Sequence, residues 1–404
     1  MAKRLFALHA SLFALGCVLF IPFPFYLLNI QSATTDFIFG KLIGFVARNV
    51  FSIALKDTHV YSDSVSMYIL VLLLFIFTFI IALLLYRSKI WLRHEQRLIA
   101  FFYQLFVYYL ALQLLKYGVD KIFKNQFYLP EPNTLFTPVG NISKDLLYWS
   151  AMGSSSFYSI FLGVIEVLTA LLIFFRKTRL IGLLMSSMIL LNVIAVNFGF
   201  DISVKLYSLF LFFLTVYLLV PYASWLWRIV KVKKFIVFPF QRTNLFPNRF
   251  ISGFVKIFIA GLILLEVLFP FIKANNFNGD STARPYLHGA YEVQQMISGN
   301  DTLSIPDFPL KRFFIHSSGY MIFQDQQGTM QDFKLNYDTA NGKLILTDYE
   351  LKKTTFSFAY NAVDSVLTMR YFNNGTKTQL EGKAIDWKQM PLLKKGFHWM
   401  VDGE

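Results

Sequence analysis

The stretch FLGVIEVLTALLIFFRKTRLIGLL, residues 161–184, sets the fold class. It is almost wholly apolar, holds a single acid, Glu166, and turns on a basic cluster of Arg176, Lys177 and Arg179. A helix needs about 20 apolar residues to cross the hydrocarbon of a bilayer, and here one apolar run meets another across the turn RKTR. A carboxylate in such a run costs free energy unless it faces other helices or takes up a proton. Glu166 is therefore a functional candidate by its position alone.

Composition extends the membrane reading to most of the chain. Only 15% of residues are charged and 55% are hydrophobic, whereas a soluble domain has about 25% charged residues. The net charge of +14 invites a nucleic-acid partner. The sequence argues against one, because the Lys and Arg residues gather in short clusters between apolar runs, as the positive-inside rule requires. The single cysteine, Cys17, lies inside the first apolar run, so thiol–disulfide chemistry within the chain is excluded.

Seven apolar runs read as spans: 5–28, 66–86, 97–119, 150–175, 180–199, 203–227 and 250–272. The first is too long for a cleaved leader and reads as an uncleaved span, kinked near its end by Pro22 and Pro24. Lys3 and Arg4, then Arg87 to Arg97, then Arg176 to Arg179, then Arg228 to Arg249 fall on one side of a seven-span layout. That side is expected to be cytoplasmic, with the N-terminus inside and the C-terminus outside a cell inner membrane. Residues 36–55 carry Lys41, Gly44, Arg48 and Ser52 at helical spacing and read as an amphipathic helix in the outer interface, or else as a re-entrant or packed segment. The loop NQFYLPEPNTLFTPVGN, rich in Pro and Asn, reads as ordered turns or a lid.

After residue 275 the composition changes. Eight short runs of strand character are separated by SSG, QQG, TANG, NNG and similar breaks. Such spacing predicts an antiparallel meander closing into a small barrel or sandwich. The tail PLLKKGFHWM is expected to plug or cover one edge, with His398 packing among aromatics. The fold class is thus a polytopic helical membrane bundle followed by a small antiparallel β domain. Its parts are 1–96, two spans with the amphipathic segment; 97–227, a four-helix module; 228–274, a basic loop and the seventh span; and 275–404, the β domain outside the membrane.

Counting helix rise from the basic turn places Glu166 about 13 Å and Asn192 about 18 Å along neighbouring antiparallel spans. A polar file of Glu166, Asn192, Gln113, Asn197, Lys116 and Asp201 is the expected ligand or proton path. The competing use of such side chains is to hold helices together. Lys116, Lys121, Lys205 and Lys256 sit near span ends, where snorkelling explains them, and Glu266 is expected at an interface. No HxH or HExxH pair, phosphate-binding glycine loop or serine elbow occurs, so no metal site or nucleotide enzyme is expected.

Spans three to six resemble the DoxX-like membrane proteins, a four-helix module. The resemblance rests on KYGVDKIF (116–123), GVIEVLTALLIFFRKTRLIGLL (163–184) and NFGFDISVKLYS (197–208), and covers about 130 residues. The added spans and the outer β domain with a GFHW ending are similar to further DoxX-annotated chains. The resemblance implies a redox-associated membrane subunit that meets quinone, with Glu166 taking a proton as the quinone is reduced. It transfers no catalytic set to numbered positions. Nothing in the sequence binds flavin, haem or an iron–sulfur cluster, so the electron carrier would come from a partner protein on the outer face. Two other uses stay open. One is a membrane anchor presenting a lipocalin-like binding domain. The other is a small-molecule transporter, disfavoured because no internal repeat is evident.

Overall fold

The computed structural model describes residues 2–23, 25–27, 30–232, 248–299, 301–303, 309–373, 376–394 and 396. His398 and most of the GFHWM ending lie outside these residues, as do Lys233, Lys234 and Arg242 of the basic loop. The chain divides into two compact units, Met1–Gln126 with Tyr158–Asn278, and Phe127–Phe157 with Gly279–Glu404.

The described helices are α1 (Ala2–Phe20), α2 (Gln31–Asn49), α3 (Val65–Tyr86), α4 (Lys89–Ile122), α5 (Pro132–Leu135), α6 (Lys144–Ser154), α7 (Ser156–Phe174), α8 (Arg179–Gly199), α9 (Lys205–Leu219), α10 (Ala223–Val232) and α11 (Arg249–Ala274). Among the described residues, seven helices are long and apolar enough to cross a membrane: α1, α3, α4, α7, α8, α9 continuing into α10, and α11. The fourth apolar run of the sequence is two helices, α6 and α7, parted at Ser155.

The first unit is a helical bundle. Its core is built from α1, α3, α4 and α9, with Ala14, Leu70, Phe106, Leu110 and Leu214 fully enclosed. The first span is shorter than its apolar run. α1 stops at Phe20 rather than kinking on to residue 28, because Pro22 removes an amide donor and disfavours helix at Ile21 before it. The carbonyls this leaves open are taken by α2. Gln31 Nε2 donates to the Val18 and Leu19 carbonyls, and Thr35 Oγ1 donates to the Phe20 carbonyl at 2.8 Å. α2 itself buries Thr35, Phe39, Ile43 and Ala47 along one face and leaves Phe37 and Phe45 exposed. At the far end of the α8–α9 hairpin, Asp63 accepts from the Lys205 and Leu206 amides and so caps α9.

α7 shows how the bundle sorts its residues. Ser159, Gly163, Glu166, Ala170 and Ile173 form a buried stripe at helical spacing, while Phe157, Phe161, Val164, Leu168 and Leu171 are exposed. An exposed apolar face opposite a polar buried stripe is the inverse of a soluble helix, and it suits a lipid surround.

The second unit is a closed eight-stranded antiparallel barrel. Its strands are β1 (Gly289–Ser298), β3 (Leu310–His316), β4 (Tyr320–Asp325), β5 (Met330–Asp338), β6 (Lys343–Thr347), β7 (Lys353–Asn361), β8 (Val366–Asn373) and β9 (Thr376–Ile385), with a short β2 (Asp301–Leu303) paired to the end of β1. Each strand pairs with the next, and β9 returns to β1 through Ala290↔Ile385 to Ser298↔Thr378, so the sheet closes on itself. Alternation sends Tyr291, Phe313, Met321, Leu335, Leu344, Leu367 and Met369 into one interior core. Gly382 is required there, since a Cβ would run into the Phe313 ring. Eight strands enclose just enough room for such side chains.

Residues 127–157, which hold α5, α6 and the first two residues of α7, belong to this barrel unit. Leu135 and Phe136 lie over Phe314, Ile322 and Trp387 on the outer wall, so Phe314 is buried although its neighbour Phe313 faces the interior. The loop foreseen as turns or a lid is thus ordered structure packed on the barrel.

Candidate functional site

The bundle gathers ionisable side chains at the C-terminal end of α4. Its first determinant is a pair of glycines. α4 and α7 run antiparallel and cross where Gly118 meets Gly163, and a Cβ on Gly118 would lie 2.8 Å from the Gly163 carbonyl oxygen. Helix side chains tilt toward their own N-terminus. Lys121 is three residues beyond the crossing on α4 and Glu166 three residues beyond it on α7, so in antiparallel helices both lean back toward the crossing and converge. Lys121 Nζ donates to Glu166 Oε2 at 2.6 Å, with each side chain under a tenth exposed. Ser159 Oγ donates to the Lys121 carbonyl at 3.0 Å and holds the same crossing.

A second pair stands beside the first. Lys116 Nζ lies 3.3 Å from Glu266 Oε1 of α11, both buried. The other demands of Glu266 are met by the segment that Pro22 forces out of helix, because the Tyr26 and Leu27 amides donate to its two carboxylate oxygens. The Lys116 ammonium sits 4.0 Å from the Tyr26 ring centre, and Lys121 lies 5.4 Å from that of Tyr117. Asp120, half-buried one turn beyond Lys116, accepts from Asn125 Nδ2 at 3.2 Å. Four buried charges in two pairs, with Asp120 beside them, thus occupy about two turns of one helix and its two neighbours.

These positions revise several expectations. Lys116 and Lys121 do not snorkel. Each finds a carboxylate inside the bundle, which removes the reason for its ammonium to reach for water. Glu266 is buried within the bundle, at 6% exposure. The expected polar file is only partly assembled. Asn192 is exposed on α8 and does not meet Glu166, which is buried against Lys121. Asp201 is exposed in the α8–α9 turn and pairs with Lys205 at 2.7 Å. Asn197 is buried and donates to the Val204 carbonyl at 3.4 Å, closing that same turn. Gln113 is 1% exposed, and among the described residues nothing hydrogen-bonds its Oε1. Such an orphan acceptor in a core is costly unless water or a ligand meets it.

The barrel unit holds a buried acid that gave no signal in the sequence. Glu131, flanked by Pro130 and Pro132, is 5% exposed. It accepts from Arg284 at 2.9 Å, from His288 at 2.8 Å and from the Ser317 amide at 3.3 Å. Burial alone would raise its carboxyl. The hydrogen bonds from His288 and Ser317, with the charges of His316 and His288, overcome that and hold it down to about 2. His288 lies 157 residues away, so no local pattern could announce the pair. Among the described residues, no three His, Cys, Asp or Glu side chains come together as a metal site.

No family model matches the chain, and no solved structure matches it. Over 97 residues, 24% of its length, it is 28% identical to the uncharacterized protein YwoB of Bacillus subtilis (strain 168). The match spans 61% of that protein, so the likeness is partial on both sides.

Proposed function

We propose that the chain is a DoxX-like, redox-associated membrane protein whose bundle holds a quinone, or another small lipid-soluble ligand, beside Glu166. In this reading its basic loops face the cytoplasm of an inner membrane and its barrel unit meets a redox partner on the outer side. One observation carries the reading: the Lys121–Glu166 and Lys116–Glu266 pairs stand close together, both lysines on α4, with Asp120 beside them. Apolar residues of like volume would stabilise a bundle as well or better than buried ion pairs. Two such pairs kept at one level argue for chemistry that needs mobile protons. The reaction balances as quinone plus two electrons and two protons giving quinol. The partner protein supplies the electrons, since this chain has no carrier motif. In the resting ion pair the transferable proton is on the Lys121 ammonium; it passes through Glu166 to the quinone and leaves the carboxylate beside a neutral amine, while the second proton comes from water. Gln113 Oε1, the orphan acceptor on the same helix, would receive a hydroxyl of the product.

The barrel interior bears on the alternative of a lipocalin-like binding module. It is occupied by its own side chains, with Phe313, Met321, Leu344 and Leu367 fully enclosed, and this favours a packed domain over a ligand cup.

The test replaces both charges at once, Glu166→Gln with Lys121→Gln, so that no lone buried charge is left to unfold the bundle. The double variant is expected to insert and melt like the parent, while quinone-dependent turnover with the native partner falls by about 100-fold or more. Full turnover in that variant, or a gently purified complex with neither quinone nor a redox partner, would remove the reading.

A further inference from the structure

A second part of the bundle, away from the charge cluster, carries its own chemistry. α11 is fixed to the bundle through Glu266, Val267 and Phe271 near its C-terminal end. Its N-terminal half leaves a cavity of about 450 Å³ against α4 and the α7–α8 turn. Lys256 stands ten residues before Glu266, about 15 Å along the helix. Three cations line the space, Arg176, Arg179 and Lys256, and among the described residues no acid does. The remaining lining includes Tyr108, Phe174, Phe175 and Ile257.

Two buried polar groups mark it as a built site. Arg179 is 3% exposed and held by its hydrogen bonds, Nε to the Ile173 carbonyl at 3.0 Å and Nη2 to the Phe174 carbonyl at 3.4 Å. At least two of its five N–H groups are used in this way, and the guanidinium also faces Tyr103, 5.9 Å from the ring centre, which fixes its plane. Gln104 is 7% exposed, lines the same space, and among the described residues nothing hydrogen-bonds its Oε1. Three positive charges and an unpaired amide acceptor on an apolar, aromatic floor fit a ligand that is anionic at one end, carries a hydroxyl and is greasy at the other.

We infer that this cavity binds the phosphate group of an anionic glycerophospholipid. Arg176, Arg179 and Lys256 meet the phosphodiester, a headgroup hydroxyl donates to Gln104 Oε1, and the first methylenes lie along Phe174, Phe175 and Ile257. The volume falls within the range of ordinary ligand pockets, about 300–1,000 Å³. Basic pockets between spanning helices are suited to anionic headgroups. This site is independent of the redox reading, and neither stands on the other.

Native mass spectrometry of the delipidated full chain tests it, with phosphatidylglycerol or phosphatidylcholine of the same acyl chains added back. One phosphatidylglycerol per chain is expected, retained well above phosphatidylcholine. Lys256→Gln and Arg176→Gln should each weaken retention about five-fold, Lys256→Arg should preserve it, and Lys177→Gln, on the same turn but not lining the cavity, should leave it unchanged. Equal retention of the two lipids, or an equal loss on Lys177→Gln, would overturn the assignment. Displacement of the lipid by millimolar inorganic phosphate would show that the cavity takes a free anion and would overturn the lipid.

Discussion

The two units of this protein each bury an acid against a base, and the two acids are held differently. Glu131 of the barrel unit has three donors, an arginine, a histidine and a backbone amide, and it stays ionised in acid. Among the described residues, Glu166 of the bundle has one short hydrogen bond, to Lys121, and lies among apolar residues. The first is over-determined and ties residues 127–157 to the barrel wall. The second depends on one partner, so moving a single proton from lysine to carboxylate would neutralise both groups. A carboxylate with many donors serves architecture, whereas one with a single exchangeable partner is suited to work.

That contrast can be broken at its architectural end first. Residues 279–404 expressed without 127–157 should lose Glu131 and expose Phe314, Ile322 and Trp387, and the fragment should aggregate or lack a folded circular-dichroism signature. Joining 127–157 to it should restore a monodisperse barrel. A well-folded fragment without the segment would show that the pin is dispensable.

The single-partner end comes next in size. Lys121→Met alone leaves the Glu166 charge stranded and should lower stability by about 3–5 kcal/mol, while the double change Lys121→Met with Glu166→Met should recover most of that loss. Thermal melts of the four forms in one detergent give the coupling. If the single variant melts like the parent, Glu166 is already neutral in the resting protein.

Acid probes the over-determined pair. The Glu131 carboxyl is held below its ordinary value of 4.5, down to about 2, so its contribution is complete above pH 4.5 and is lost as the pH falls toward 2. The loss is about 3 kcal/mol. Burial also lowers His316, so the unfolded chain binds that proton more readily, and stability again falls on acidification. Limited proteolysis of the full chain should open the barrel unit between pH 4.5 and 2, and Glu131→Gln should flatten the lower part of that dependence. The smallest effect is expected at Asn192. Exposed on α8, its replacement by Leu should change stability by no more than about 0.5 kcal/mol and leave turnover unaltered.

Much of this could be read from the chain before its structure. The spans were legible because lipid demands long apolar runs, and the strands because SSG, TANG and NNG punctuate an alternating pattern. Glu166 stood out because an acid in grease needs a reason. Its partner did not. Lys121 lies 45 residues away and sits near a span end, where a lysine is ordinarily explained by water. The Lys116–Asp120–Lys121 spacing in KYGVDKIF was the available clue, since two cations and an acid on adjacent turns are more than snorkelling requires. Asn192 misled because counting rise along a hairpin gives height but not rotation.

By itself, then, the sequence determined the solvent of each part, through hydrophobic run length in the bundle and period-two alternation in the barrel, both of which are local properties. Only the tertiary structure decided which charges meet. Gly118 against Gly163 brings Lys121 to Glu166, Pro22 frees the amides that hold Glu266, and closure of the barrel carries His288 and Ser317 to Glu131. Those pairings depend on helix rotation and on long-range packing of backbones, and no short window of residues contains either.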